Sequence, residues 1–260
     1  WQNLNQNILS KLFKNNKSVK KIMIKRKKIL KIAIDSPAAA GAGTLAKSIS
    51  KHYNLFYLDT GKIYRFMAYL KIRFPNKFNL KFLKTKIKNL KIKDLSNKSL
   101  LMDEVGNEAA VISKDKKIRK LVHSFQLNIA YNPPKKYDGS CLDGRDITYN
   151  IVPDADFKFY ITANLKTRAL RRYKELKLIK KNISYKEVLK SIKNRDKSDI
   201  SRKISPLKKT KDSLLINTTN LNKRSCFLKL KKIIDRKLTI NGNLQRSFKS
   251  SQSRVRKTTK

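Results

Sequence analysis

A chain of 260 residues, 40% of them hydrophobic, is long enough to bury a core as one large domain or two small ones, which argues against a wholly disordered protein. Its 64 Lys and Arg against 18 Asp and Glu give a formal charge of +46, a field that attracts polyanions such as nucleotides, nucleic acid and acidic membranes. No apolar run approaches the roughly 18 residues of a membrane span, and the scattered Cys141, Cys226, His52 and His123 argue against a disulfide framework or a zinc site.

The charge alone does not specify an acidic partner. Lys outnumbers Arg by 49 to 15, and the chain is also rich in Asn and Ile, which share AT-rich codons with Lys. Residues 1–34 hold ten basic side chains and no acid, so 1–30 read as a basic N-terminal extension. It lacks the apolar stretch of a secretory signal, and a transit peptide would favour Arg where only Arg26 is present.

From there strand and helix signals alternate. KIAID (31–35) is a short apolar strand, TLAKSISKHY (44–53) a helix and NLFYLD (54–59) a second strand. A helix follows Thr60, with Ile63, Phe66, Met67 and Leu70 on one face. Residues 74–104 fit the alternation worst and read as a Lys-rich insertion. A helix is expected over 116–130, strands at 140–143 and 156–162, and a helix over 163–176. Ser184 and Glu187 form a capping box that opens another helix, and SLLIN (213–217) is the last strand. A basic Ser/Lys/Arg tail, 238–260, reads as disordered beyond about Asn241. Alternating strands and helices predict an α/β domain over 31–237, a mostly parallel sheet with helices on both faces.

The most informative stretch is IAIDSPAAAGAGTLAK (32–47), a strand running through a small-residue loop into a helix. That is the setting in which backbone N–H groups and a helix N-terminus converge on an anion. The phosphate-loop motif G-x-x-x-x-G-K has Ser36 at its first Gly, Gly41 at its second and Ala42 where Lys belongs; Gly43 and Thr44 follow. Three further segments carry four of the fifteen arginines. YLDTGKIYR (57–65) supplies Asp59, Thr60 and Arg65, LDGRD (142–146) supplies Asp143, Arg145 and Asp146, and RDKSDISRKISPL (195–207) supplies Arg195, Asp199 and Arg202. Strand C-terminal ends face the ligand crevice of a parallel sheet. Arg in a Lys-rich chain at those places points to planar, bidentate phosphate contacts.

These motifs, in this order, resemble the cytidylate kinases, bacterial members of the nucleoside monophosphate kinases. IDxPAxxGxGTLAK, LDTGxxYR, DGRDxxxxVxPDADxKxxxTA, RAxRRxxEL and RDxxDxxRxxxPL span about 31–73 and 104–222. The resemblance implies a P-loop fold with a five-stranded parallel sheet, a shortened monophosphate-binding insertion (74–104) and a small lid (171–184). It implies transfer of the γ-phosphoryl of ATP to CMP or dCMP with Mg²⁺, by a cytoplasmic monomer with no membrane partner and no specific nucleic-acid binding.

Carried onto this chain, Ser36, Pro37, Ala38, Ala39, Ala40, Gly41, Ala42, Gly43 and Thr44 would line the ATP phosphates, with Thr44 at the metal. Thr60, Arg65, Arg119, Arg145, Asp146, Arg195, Asp199 and Arg202 would bind CMP. Arg65, Arg145 and Arg195 would hold its phosphate; Arg119 and Asp146 would read the cytosine edge; Asp199 and Arg202 would address the sugar. Arg145 and Arg195, with Arg171 and Arg172 on the helix that also carries Arg168, would act on the transferring group. The departures are Ala42, Ser36 at a turn where φ would need to be positive, and Ala110 where the family often has a serine. They leave open a catalytically impaired nucleotide-binding relative, or another cation such as Lys47 or a lid arginine in the lysine's place. A basic nucleic-acid-binding protein is the alternative from another class.

Overall fold

The computed structural model describes residues 29–178 and 182–255. Five strands, β1 (Leu30–Asp35), β2 (Leu55–Asp59), β3 (Gly139–Gly144), β4 (Phe157–Thr162) and β5 (Leu214–Asn217), form one sheet in the order β2-β3-β1-β4-β5. Every pairing is parallel. All five strand C-termini therefore lie at one end of the sheet, and β1 sits at its centre.

Successive side chains of a strand face opposite sides, and both sides of this sheet are covered. Ala33, Leu58 and Leu142 face α2 (Thr60–Arg73) and α5 (Lys116–Tyr131), which bring Ile63, Met67, Ile118 and Val122 into that core. Ile32, Ile34, Phe159 and Ile216 face the other way, onto Leu45 and Ile49 of α1 (Ala42–His52) and Leu230 and Ile234 of α8 (Lys223–Val255). Burial on both faces explains why β1 and β3 read as continuous runs, whereas β4 alternates and β5, at the sheet edge, buries only Ile216.

The stretch from 74 to 104, read from the sequence as an insertion, consists of α3 (Leu80–Lys88) between short 3₁₀ turns and ends in the first turn of α4 (Asp103–Ile112). Leu83 and Leu95 join the same core, and Leu100 is fully buried. The pair α6 (Leu165–Lys177) and α7 (Tyr185–Ser201) packs Ala169, Leu176, Val188 and Ile192 around Ala38. The Ser184–Glu187 capping box is formed as expected.

Two expectations change, and a third is not tested. The lid segment 171–184 is helical through Lys177, so only 178–184 connect the two helices, and 179–181 lie outside the described residues. The tail beyond Asn241 is helical as far as Val255: α8 contains one glycine and no proline to stop it, so its anchored first turns extend. The N-terminal extension, up to residue 28, lies outside the described residues. Among the described residues no helix is long and apolar enough to cross a membrane.

Asp35 ends the central strand fully buried. Its Oδ1 accepts from the Ile147 N–H at 2.8 Å, and its Oδ2 accepts from the Thr148 N–H at 2.9 Å and the Thr148 hydroxyl at 2.6 Å. These bonds pin a π-helical turn, Ile147–Ile151, behind the end of β3. Burial nevertheless pushes this carboxyl up from 3.8 to about 6, against the Thr148 and Ile147 hydrogen bonds and with the neighbouring Asp146 adding to the rise. The folded state thus holds this proton more tightly than the unfolded one, so stability falls as pH rises from about 4 to about 6. The unfolding free energy of wild type minus that of Asp35→Asn, from urea titrations across that range, is expected to drop by about 2–3 kcal/mol. A pH-independent difference would show that Asp35 does not titrate there.

Candidate active site

The phosphate loop is shaped by two residues in the left-handed region, Ala39 at φ 58° and Gly41 at φ 88°. Ser36 is not among them, which corrects the expectation that its position needs glycine: its N–H donates to Gly144 O at 3.2 Å and continues the β1–β3 ladder. Gly41 caps α1 without a side-chain bond, and the first turn of α1 carries no acid. The N–H groups of that turn have no helical partner and open on the cleft with the positive end of the helix dipole.

The loop is held from behind. The Ala38 N–H donates to Asp196 Oδ1 at 3.0 Å, and Arg168 donates to Ala38 O at 2.9 Å and pairs with Asp196 at 2.5 Å. Thr218 donates to Ala40 O at 3.1 Å, and Arg171 is tied to Thr218 Oγ1 at 2.9 Å and Thr218 O at 2.7 Å. Ala38 and Arg168 therefore do not line the cleft. Both polar backbone groups of Ala38 are spent on the Asp196–Arg168 clamp, so neither faces a phosphate.

Across from the loop stands an acidic wall. Thr60 opens α2, its hydroxyl donating to Asp143 O at 2.8 Å, and Asp59 caps the helix by accepting from the Lys62 N–H at 3.3 Å. A Cβ on Gly43 would meet the Tyr57 hydroxyl at 3.2 Å and Asp143 Oδ2 at 3.4 Å, so the wall and the loop are in contact. Asp143 is held well above the usual carboxylate range by burial and by the Asp59 charge, despite a hydrogen bond with Tyr57. Its Oδ1 has no hydrogen-bond partner. An orphaned buried carboxylate oxygen beside a threonine hydroxyl and a second carboxylate suits a hard divalent cation. Among the described residues no cluster of three metal-ligating side chains exists, so further ligands would come from phosphate or water.

The third part is a lattice of alternating charge. Arg145 Nε pairs with Asp199 Oδ2 at 2.7 Å; Arg202 lies 3.5 Å from Asp199 and 4.0 Å from Asp146; Arg119 pairs with Asp146 at 2.7 Å. Asn150 also donates to Asp146 at 2.8 Å, and Arg119 donates to Ser113 O at 3.1 Å and lies 5.7 Å over the Tyr64 ring. Burial alone would raise Asp199, but Arg145, Arg195 and Arg202 outweigh it and hold the carboxyl low. Arg65 donates to Leu100 O at 2.7 Å. Arg195 is exposed to the cleft. The packed surroundings of its guanidinium, then the charges of Arg145, Arg65 and Arg172, pull it down to about 10 although Asp199 opposes them.

All three parts line one cleft of about 830 Å³. It brings together every sequence-predicted residue except Ala38: Ser36, Pro37, Ala39–Thr44, Thr60, Arg65, Arg119, Arg145, Asp146, Arg171, Arg172, Arg195, Asp199 and Arg202. Sequence reasoning did not single out Tyr57, Tyr64, Ser113 or Lys62, which also line it. Tyr57, Lys62 and Tyr64 all lie within the quoted YLDTGKIYR motif, but nothing in the motif marks Tyr64 as a ring beneath Arg119. Ser113 sits one helical turn beyond Ala110 and donates to its carbonyl at 3.0 Å.

The cytidylate kinase family model matches residues 32–236. A cytidylate kinase of Bartonella tribocorum is 42% identical over 201 residues, covering 75% of this chain and 90% of the relative. Cytidylate kinases of Clostridium botulinum and Mesomycoplasma hyopneumoniae are 38% and 35% identical, covering 80% and 81% of this chain and 98% and 96% of the relatives. The chain belongs to the cytidylate kinase family.

Proposed function

We infer that this chain transfers the γ-phosphoryl group of ATP to CMP or dCMP, giving ADP and CDP or dCDP, with Mg²⁺ as the accompanying cation. The observation that carries the reading is the single cleft joining the free N-terminus of α1 to the Arg145–Asp199–Arg202–Asp146–Arg119 lattice. One end offers uncharged N–H donors to a polyphosphate, the other fixed guanidinium groups to a monophosphate. Such a transfer asks little covalent chemistry of a protein; alignment and charge neutralisation carry the rate.

In this reading Thr44, Asp143 and Asp59 would hold Mg²⁺, which supplies charge neutralisation between the phosphates of the donor. Arg65, Arg145 and Arg195 bind the acceptor phosphate. Arg195, crowded by like charges and already partly desolvated, gains most from an arriving anion. Arg171 and Arg172 close over the donor. Asp146, held by Arg119 and Asn150, accepts from the exocyclic amine of cytosine, while Asp199 and Arg202 address the sugar. Every one of these groups comes from one chain, as a cytoplasmic monomer would require. The comparisons lend no support to the impaired-relative alternative.

A coupled assay of ADP release with CMP, dCMP and UMP tests the activity; turnover with none of them would refute it. Asp146→Asn should narrow the CMP over UMP preference in kcat/KM by about tenfold or more, because the carboxylate pairs with the cytosine donor and repels the uracil carbonyl. Breaking the Arg119–Asp146 pair will also lower stability, but loss of folded enzyme scales both substrates equally and leaves their ratio intact. An unchanged ratio would move specificity elsewhere. Arg195→Ala should raise KM for CMP by about 10- to 100-fold, the worth of a charge-assisted bond, with KM for ATP nearly constant. Equal rises in both would mean that Arg195 serves the donor.

A further inference from the structure

We propose that Lys62 supplies, from the first turn of α2, the cation that the phosphate loop lacks at Ala42, and that its ammonium contacts the γ-phosphoryl of bound ATP during transfer. The proposal rests on the reading of the cleft as a phosphoryl-transfer site.

The loop motif places a lysine at the β- and γ-phosphates. Here that position is a methyl group packed into the apolar core beneath α1, with 4% of its surface exposed. The charge must come from elsewhere, and most cations of the cleft are already engaged. Arg119, Arg145 and Arg202 are paired with carboxylates, and Arg171 is held by the Thr218 hydroxyl and carbonyl. Arg65 is bound to the Leu100 carbonyl, and Arg172 pairs with Glu175 at 3.3 Å. Arg195 belongs to the acceptor end.

Four lysines line the cleft without a hydrogen bond or ion pair of their ammonium groups among the described residues: Lys47, Lys62, Lys174 and Lys223. Three of them are exposed, and Lys62 alone among the four is half-buried. A partly desolvated cation without a partner is costly until an anion arrives. Its neighbours are the right ones. The Lys62 N–H is fixed on Asp59 at 3.3 Å; two residues before it, Thr60 bonds Asp143 O at 2.8 Å; and Asp143 Oδ2 lies 3.4 Å from the position of a Cβ on Gly43, next to Ala42. Lys62 thus stands on the first turn of a helix that begins level with the strand C-termini. Lys47 is the sixth residue of α1, well over a turn below the N–H groups that would hold the phosphates. A lysine side chain leans toward its helix N-terminus, which carries the Lys62 ammonium into the gap between α2 and the loop.

In the step itself the bond between the γ-phosphorus and the β-bridging oxygen breaks, and a bond from an oxygen of the CMP phosphate to that phosphorus forms. The electron pair leaves on the β-phosphate of ADP. Lys62 stays protonated throughout and acts as a fixed charge.

Lys62→Met should lower kcat by about 10²- to 10³-fold, the usual effect of removing one preorganised group from the developing charge, with KM for CMP changed less than about twofold. Ala42→Lys should restore most of that loss in the double variant, yet raise kcat of the wild type little, because the two lysines serve one charge. Lys47→Met should remain within about threefold of wild type. Calorimetry supplies a readout without turnover: the affinity for a non-hydrolysable ATP analogue relative to ADP, at fixed Mg²⁺ and salt, should fall about tenfold or more in Lys62→Met. An unchanged kcat together with an unchanged affinity ratio would overturn the proposal. A wild type that phosphorylates neither CMP nor dCMP would refute the assigned reaction on its own, and the affinity ratio would still decide the role of Lys62.

Discussion

The site depends on leaving the first N–H groups of α1 without protein partners. An unpaired helix N-terminus is costly wherever water is excluded. The chain accepts that cost here and surrounds the loop with bonds that keep it from collapsing. Asp196 and Arg168 fix Ala38 from one side and Thr218 fixes Ala40 from another, while Ala39 and Gly41 take the left-handed conformations that turn the chain between them. A loop pinned in this way need not reorganise when an anion enters, which is the condition for electrostatic stabilisation to be effective.

The acceptor end solves the opposite problem. Arginines drawn together repel one another, and the Arg195 guanidinium is depressed first by desolvation and then by the charges of Arg145, Arg65 and Arg172. Asp146 and Asp199, inserted between Arg119, Arg202 and Arg145, hold three of the guanidinium planes in fixed directions and leave Arg195 as the member with charge to spare. Buried pairs of this kind contribute little net stability. Their contribution is geometry, and it is consistent that Arg, which forks onto carboxylates and phosphates, holds these positions in a chain whose default basic residue is Lys.

Between the two ends the acidic wall of Asp59 and Asp143 balances the field. Without it the cleft of a chain at +46 would hold any polyanion in almost any pose. With it, two carboxylates stand across from the loop, and Lys62 is anchored by its backbone N–H on one of them.

The sequence by itself determined the order and direction of the elements. All five strands were legible as short apolar runs between helical periodicities, and that alternation allows few topologies. The residues that line the cleft were legible as well, since strand C-termini, a small-residue loop and sparse arginines are local signals. What stayed hidden depends on contacts between distant segments. Arg168 reads like its neighbours Arg171 and Arg172, yet the packing of α6 on α7 turns it inward onto Asp196. Ala38 reads as part of the loop, yet that same clamp spends its backbone. Ser36 stands at a glycine position, but whether its φ is positive depends on how the loop meets β3. Lys62 is one lysine among 49 in the sequence. Only the tertiary structure makes it a half-buried lysine of the cleft that Ala42 also lines, because burial and proximity across the chain are not properties of any one segment.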